Sequence, residues 1–481
     1  MLHQLALSSK ILELLHEVVT TQITLLHCAV LATDIKAKTP IIDETLFVTL
    51  LDKQLGPSRG QLLLSWLKRA STCYGHVQSF ATCCVEKDEE AKIREQASKD
   101  IWCKQLQHEI QDFADIQVDV LAVKNFFFEN DQQSNNKEQA VEWKKAAANF
   151  FHYFYDNYLK RDTLFPGSFF KDNSTVFGRQ AFLAAFIDAN NKQEICAVCD
   201  QTRYYSYRRT KHTEVPSTKV QAIIDHYLPR SEYPHFACHP YNLVPICYTC
   251  NSSEKGAKDP FLDEQKQRRT LRKTALPYND KVNLRALLFL NVDLGTSDTF
   301  KVLNADSSSL AFTLGSLSPR GNHAPLSQDT LEEAASVLED LYSIPGRWNI
   351  PEQSDRIRST LFRRMRQFLG KGTHAPNGPH IYVQVHDALK LLLYYLDQED
   401  QQKDPFAFAM SWMLVALLNE YTQRLVDEQP SLAEELQLKD PFLEELVSLY
   451  GLSLRENKER AKIADELCEI VKRHTRNASK N

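Results

Sequence analysis

The stretch that decides this chain lies near its middle. It reads Cys196-Ala197-Val198-Cys199, then Ile224-Asp225-His226-Tyr227-Leu228-Pro229, then Asn242-Leu243-Val244-Pro245, then Cys247-Tyr248-Thr249-Cys250-Asn251-Ser252-Ser253-Glu254-Lys255. The outer segments each hold two cysteines separated by two residues. That spacing turns both thiolates toward one point, so two such pairs can enclose one Zn²⁺ tetrahedrally. A redox pair of the thioredoxin type needs one CxxC near a βαβ unit, not two with 47 residues between them. Structural zinc on Cys196, Cys199, Cys247 and Cys250 is therefore expected.

Between the pairs, Val220, Ala222 and Ile224 alternate as a strand would and deliver Asp225-His226 to its end. Asn242 to Ile246 reads as the returning strand, and Asn251 to Lys258 as the first turns of a helix. Strand, loop, strand, helix is a compact ββα unit, with zinc tying the helix start to the preceding knuckle.

These residues resemble the HNH endonucleases. That pattern has a DH-P element, an NL element, and a CxxC[H/N] element with a lysine in the helical turn that follows. The resemblance covers about 65 residues, Glu194 to Lys258, including the eight-residue interval between Asn242 and Asn251. Its local context, Pro240-Tyr241-Asn242-Leu243-Val244-Pro245 and Cys250-Asn251 with Lys255, is similar to HNH proteins of bacterial restriction and anti-phage systems.

The resemblance implies a DNA endonuclease with His226 as general base. It makes Asp225 and Asn251 ligands of one catalytic Mg²⁺ or Mn²⁺, and gives Asn242 the task of holding the loop and orienting His226. The residue types suit the chemistry. Phosphodiester hydrolysis needs an activated water, a Lewis acid on the phosphate and stabilisation of the leaving oxygen. Imidazole titrates near working pH, and carboxylate and amide oxygens favour hard cations. The chain departs from the family name in having Asn251 where a histidine gives the third letter. An amide oxygen still suits Mg²⁺ but is a poor ligand for Zn²⁺ or Ni²⁺, so a preference for hard metals is expected.

Other nucleic-acid contacts are less specific. Lys255 and Lys258 either face phosphate from the helix or are solvated. Tyr204, Tyr205, Tyr207, Arg208 and Arg209 interleave rings and cations, as either a DNA-facing strand or a solvated hairpin. His235-Phe236-Ala237-Cys238-His239 reads as the loop between the strands, not a second metal site, because four cysteines already close the zinc. From Gln201 to Ala275 there are 13 Lys and Arg against 7 Asp and Glu, a net of +6 in a chain whose total is −5. A basic centre in acidic flanks is what a nuclease embedded in interaction domains shows. A second basic run, Arg356 to Lys371, either touches DNA or an acidic partner or is a solvated helix face.

Working outward, 481 residues are too many for one core. The expected fold class is α+β: a mostly helical chain with a central ββα-metal domain and a short β-rich segment after it. The expected domains are a helical one over 1–163, the nuclease with its zinc knuckle over 164–275, a β-rich connection over 276–326, and a helical one over 327–481. Apolar residues recur at three and four spacings at Ile11, Leu14, Leu15, Val18 and Val19, and again from Trp143 to Phe154. Phe150 to Tyr158 reads as core or interface. A charged helix is expected from Leu262 to Lys273, and strands at 287–292 and 310–314. A helix from Leu331 to Tyr342, capped by Ser327 and stopped by Pro345-Gly346, completes the outline.

Eleven cysteines without a secretory pattern point to reduced thiols and metal ligands. Cys28, Cys73, Cys83, Cys84, Cys103 and Cys468 read as buried filler. The apolar runs are broken or short, as at Phe406 to Leu418, so no membrane is expected and the location is expected to be cytoplasmic. Expected partners are DNA, with RNA an open alternative, and a regulatory protein or a second copy of the chain. The alternative from another class is an inactive zinc-braced nucleic-acid-binding or scaffold subunit.

Overall fold

The structure is a computed structural model. It describes residues 5–37, 39–83, 88–114, 120–121, 123, 126–127, 140–159, 178–190, 195–201, 205–208, 217–220, 222–263, 265, 267, 269–272, 275–278, 288–293, 311–316, 328–370, 406–414 and 416. The chain is mostly helical, with few strands in small sheets, an α+β arrangement. It divides into two compact units, one of Leu5–Lys192 with Tyr205–Asn279, the other of Met1–Gln4, Gln193–Tyr204 and Asp280–Asn481.

The first unit is organised around helix α1 (Ser9–Leu31). Ser8 caps it, its Oγ accepting from the Ile11 amide at 3.4 Å. From Thr21 to Val30 every residue is buried, so this half of the helix is core on all sides. It is long and apolar enough to cross a bilayer, yet 78% of its apolar window is buried within the protein, as in a core helix. After strands β1 (Thr33–Asp34) and β2 (Ile41–Ile42), Asp43 caps α2 (Glu44–Leu55), accepting from Thr45 and Leu46 amides. Then come α3 (Arg59–Arg69), α4 (Ser71–Thr82) and α5 (Glu89–Ala114). Helices α2, α4 and α5 flank α1.

The corner between α2 and α3 holds Gly56 at φ +110° and Ser58 at φ +68°. The Gly60 amide reaches the Asp52 carboxylate at 2.7 Å, which draws the two helices together. A Cβ at position 60 would stand 2.4 Å from the Val48 carbonyl oxygen. Gly60→Ala must therefore spread α2 from α3, and a loss of about 1–3 kcal/mol is expected, as for overpacking. A thermal denaturation midpoint equal to that of the wild type would refute this.

Beyond strand β3 (Val120–Leu121), helix α6 (Ala140–Phe154) packs on α4. Trp102 and Trp143 meet edge to face at 5.2 Å beside Phe80 and Phe127, and Phe150, Phe151 and Phe154 are fully buried. The aromatic run thus forms core, as its spacing predicts. Helix α6 ends in a π-helical turn, Tyr155–Leu159. Helix α7 (Arg179–Ala189) is closed by Asn190, whose side chain exchanges hydrogen bonds with both backbone groups of Ala6. Cys28, Cys73 and Cys103 are buried and Cys83 is partly exposed; Cys84 and Cys468 lie outside the described residues.

The strand expected over 220–226 is two strands. β4 (Tyr205–Arg208) pairs with β5 (Ser217–Val220), and β6 (Ile223–His226) pairs antiparallel with β7 (Leu243–Ile246). A second π-helical turn, Thr249–Lys255, follows and ends at Gly256 with φ +51°. Among the described residues of 262–273, the expected charged helix does not form. Asp259 and Asp263 accept from the Phe261 and Gln267 amides, and Arg269 bonds back to Phe261. These local carboxylate bonds turn the chain, and it runs into strand β8 (Leu271–Arg272), which pairs with β3.

In the second unit, β9 (Leu288–Asp293) and β10 (Ala311–Ser316) form an antiparallel ladder where strands were expected. Helix α8 (Gln328–Tyr342) begins three residues before the expected start, and Ser327 lies outside the described residues. It stops at Ser343, φ +48°, not at Pro345-Gly346. Pro345 instead sits in the first turn of α9 (Ile344–Trp348), where its missing N–H costs nothing. In α10 (Pro351–Gly370), Arg358 is buried beside Asp355 and Arg356 lies 5.6 Å over Phe406, so part of the basic run serves internal contacts. Residues 407–414 form a buried helix.

Candidate active site and metal centre

Four cysteines form the candidate metal centre. The Sγ atoms of Cys196, Cys199, Cys247 and Cys250 lie within 4.8 Å of one another, and all four residues are buried. Tetrahedral zinc with Zn–S near ~2.3 Å sets sulfurs about 3.8 Å apart, so the group can hold such an ion. Local turns build each half. Asp200 adopts φ +57° and donates its amide to the Cys196 carbonyl at 3.0 Å, closing the first knuckle. Its carboxylate then accepts from the Phe408 amide at 2.7 Å. In the second half, the Cys250 amide points at Cys247 Sγ, 3.5 Å away.

The β6–β7 hairpin carries the other candidates. Asp225 and His226 end β6, paired with Val244 and Leu243 across the ladder. Both are buried, at 4% and 8% exposure. His226 Nε2 lies 3.0 Å from the Ala237 carbonyl oxygen. A carbonyl only accepts, so the proton sits on Nε2 and Nδ1 keeps its lone pair in the neutral ring. Burial, reinforced by the positive charge of Arg230, pushes the His226 pKa down to about 3. Burial pushes Asp225 up to about 6, against the pull of Lys255. One carboxylate oxygen of Asp225, Oδ2, is buried with no hydrogen-bond partner.

Asn242 is fully buried and holds the loop between the strands. Its Oδ1 accepts from the Leu228 amide at 2.6 Å, and its Nδ2 donates to Leu228 O at 3.2 Å and Phe236 O at 3.0 Å. The 236–237 peptide is thereby fixed, next to the Ala237 carbonyl on which His226 leans. Asn242→Ala would leave two buried polar groups, the amide and the carbonyl of Leu228, without partners, each costing about 1–3 kcal/mol. A loss of at least about 2 kcal/mol in urea denaturation is expected; a loss under ~1 kcal/mol would show that the loop holds without it.

One sequence expectation changes, and the reading of residues 235–239 as the loop between the strands holds. Lys255 does not face phosphate: it is 2% exposed, and its Nζ donates to His226 O at 2.6 Å and to Asp225 Oδ1 at 3.4 Å. The π-helical turn carries it inward, where it supplies a counter-charge for the buried carboxylate. His235-Phe236-Ala237-Cys238-His239 is a buried loop with a 3₁₀ turn, and His235 pairs with Glu109 at 3.1 Å. Asn251 is half-buried in the same π-helical turn as Cys250, its amide bonded to Cys247 O. Lys258 is exposed; Arg208 belongs to β4, and Arg209 lies outside the described residues.

Sequence reasoning missed Tyr155, Asp156 and Arg230, which surround His226 and its loop. Tyr155 stands 71 positions before His226 in a run of aromatics, and nothing local singles it out.

Fold and site together define a mostly helical α+β protein with a buried four-cysteine group suited to a metal ion such as zinc. No family model and no solved structure matches the chain. It is similar to Protein ea31 of Escherichia phage lambda, 58% identical over 33 residues, which are 7% of this chain and 11% of that protein.

Proposed function

We propose that this chain is an HNH-type, metal-dependent endonuclease that hydrolyses phosphodiester bonds of DNA. The observation that carries the reading is the burial of Asp225 and His226 as consecutive residues at the end of β6. The imidazole is neutral and oriented through Nε2, which leaves Nδ1 to take a proton from water. Beside it stands a carboxylate with an unpartnered buried oxygen. A hard divalent cation fits that oxygen, with Asp225 and Asn251 as protein ligands. Such a cation would supply Lewis acidity at the phosphate.

The chain's own residues do the rest. Asn242 fixes the 236–237 peptide, the adjoining Ala237 carbonyl holds His226, and Lys255 balances the charge of Asp225. Zinc held by the four cysteines would tie the end of β7 to the turn bearing Asn251.

The test is plasmid cleavage by purified full-length protein with Mg²⁺, Mn²⁺ or EDTA. Nicking or linearisation with Mg²⁺ or Mn²⁺ and none with EDTA is expected. Folded, zinc-loaded protein that binds DNA without cutting it under any of these conditions would favour the inactive nucleic-acid-binding module instead.

A further inference from the structure

The π-helical turn at the end of α6 lies against the candidate catalytic strand. The Tyr155 ring meets His226 edge to face, with centroids 4.3 Å apart. Its hydroxyl donates to the Ile224 carbonyl at 3.4 Å, one residue before Asp225. The Arg230 guanidinium lies 5.2 Å over the same Tyr155 ring and pairs with Asp156 at 3.0 Å. The spacings of 4.3 and 5.2 Å put that cation within 9.5 Å of the imidazole. His152 Nε2 donates to the Arg230 carbonyl at 2.8 Å. Helix α6 and its π-helical turn therefore grip the chain on both sides of His226.

We propose that Tyr155 is a positioning residue for the cleavage reaction, holding the His226 ring in its working orientation. The proposal rests on His226 being the base. One hydrogen bond, from Nε2 to Ala237, fixes a point of the imidazole but not the plane of its ring. The Tyr155 ring supplies the second constraint, and the Asp156–Arg230 pair holds the turn that presents it. A π-helical turn inserts a residue into the helical register, so side chains leave the helix in directions a regular α-helix does not offer. Here it sends Tyr155 to β6 and Asp156 to Arg230. The helical region before the hairpin is then part of the active site.

The test compares full-length Tyr155→Ala, Tyr155→Leu and Tyr155→Phe by two measurements. In plasmid cleavage, Tyr155→Ala and Tyr155→Leu are expected to lose about 10–100-fold in kcat, since misplacement by an ångström costs about that much. KM is expected to stay within about twofold, and Tyr155→Phe, which keeps the ring, to retain most of the rate. In carbethoxylation with diethyl pyrocarbonate read by mass spectrometry, His226 should react at least about tenfold faster in Tyr155→Ala than in wild type or Tyr155→Phe, because the ring that covers it is gone. Leucine keeps apolar volume, so Tyr155→Leu answers for the alanine variant if that one unfolds. Alanine and leucine variants that cut as fast as wild type, or faster, would overturn the proposal, faster cutting marking the contact as a brake. Unchanged His226 modification in Tyr155→Ala would overturn it as well. If wild type cuts nothing, the nuclease reading fails by itself and the modification rates alone decide whether Tyr155 holds the ring.

Discussion

Replacing His226 with alanine is expected to remove metal-dependent cleavage, with kcat falling by about 10²–10⁴-fold, the range general-base catalysis contributes. The imidazole is neutral because burial disfavours its cation, and the Ala237 carbonyl holds the proton on Nε2. Alanine removes the one side chain at the site with a basic nitrogen so arranged. Asp225, Lys255 and the four cysteines keep their places, so zinc content and DNA binding should persist. The cost in stability is that of one lost hydrogen bond and a small cavity, a few kcal/mol at most. Circular dichroism and metal analysis on the same sample separate a missing base from a missing fold. Metal-dependent cutting by His226→Ala at the wild-type rate would sink the assignment.

The second large effect concerns the four-cysteine group. Cys247→Ser or Cys250→Ser is expected to take bound zinc from about one per chain to near zero, because structural zinc sites use all four ligands. Zinc binding to small thiolate sites carries about 10–16 kcal/mol of apparent free energy, and that energy supports the fold directly. Cys247 follows β7 without a gap, and Cys250 lies in the turn that carries Lys255 inward. Loss of zinc should therefore unravel the turn, release Lys255 from Asp225 and abolish cleavage along with a large drop in the thermal midpoint. Cys73→Ser, a buried thiol among the helices, should lower stability without changing zinc content. A serine variant at 247 or 250 that still binds one zinc at wild-type affinity would show that the group is not the zinc site.

Much of the site was legible because its signals are local. The two CxxC pairs, the Asp225-His226 strand end and the Asn242 return all sit within about 65 residues, at spacings that metal geometry and strand periodicity constrain. The buried helical core was legible for the same reason: apolar residues three and four apart must find a common face. The misjudged elements were decided by hydrogen bonds that composition does not record. The segment after Leu262 is rich in helix formers, but Asp259 and Asp263 bond to nearby amides and turn it. At 343–346 a proline and glycine looked like a stop, yet Ser343 makes the break and Pro345 opens the next helix.

By itself the sequence determined which residues can carry chemistry: four thiolates with zinc spacing, a carboxylate and imidazole side by side, and amides placed to follow them. Side-chain type and short spacing are enough for that, since ligand chemistry is written in them. Only the tertiary structure decided what those groups face. It turned Lys255 from a phosphate contact into the buried partner of Asp225, assigned the His226 proton through Ala237, and brought Tyr155 across 71 positions to cover the ring. Those outcomes depend on burial and on contacts between distant segments. They are set when separate apolar faces close on one another, which no single stretch of sequence encodes.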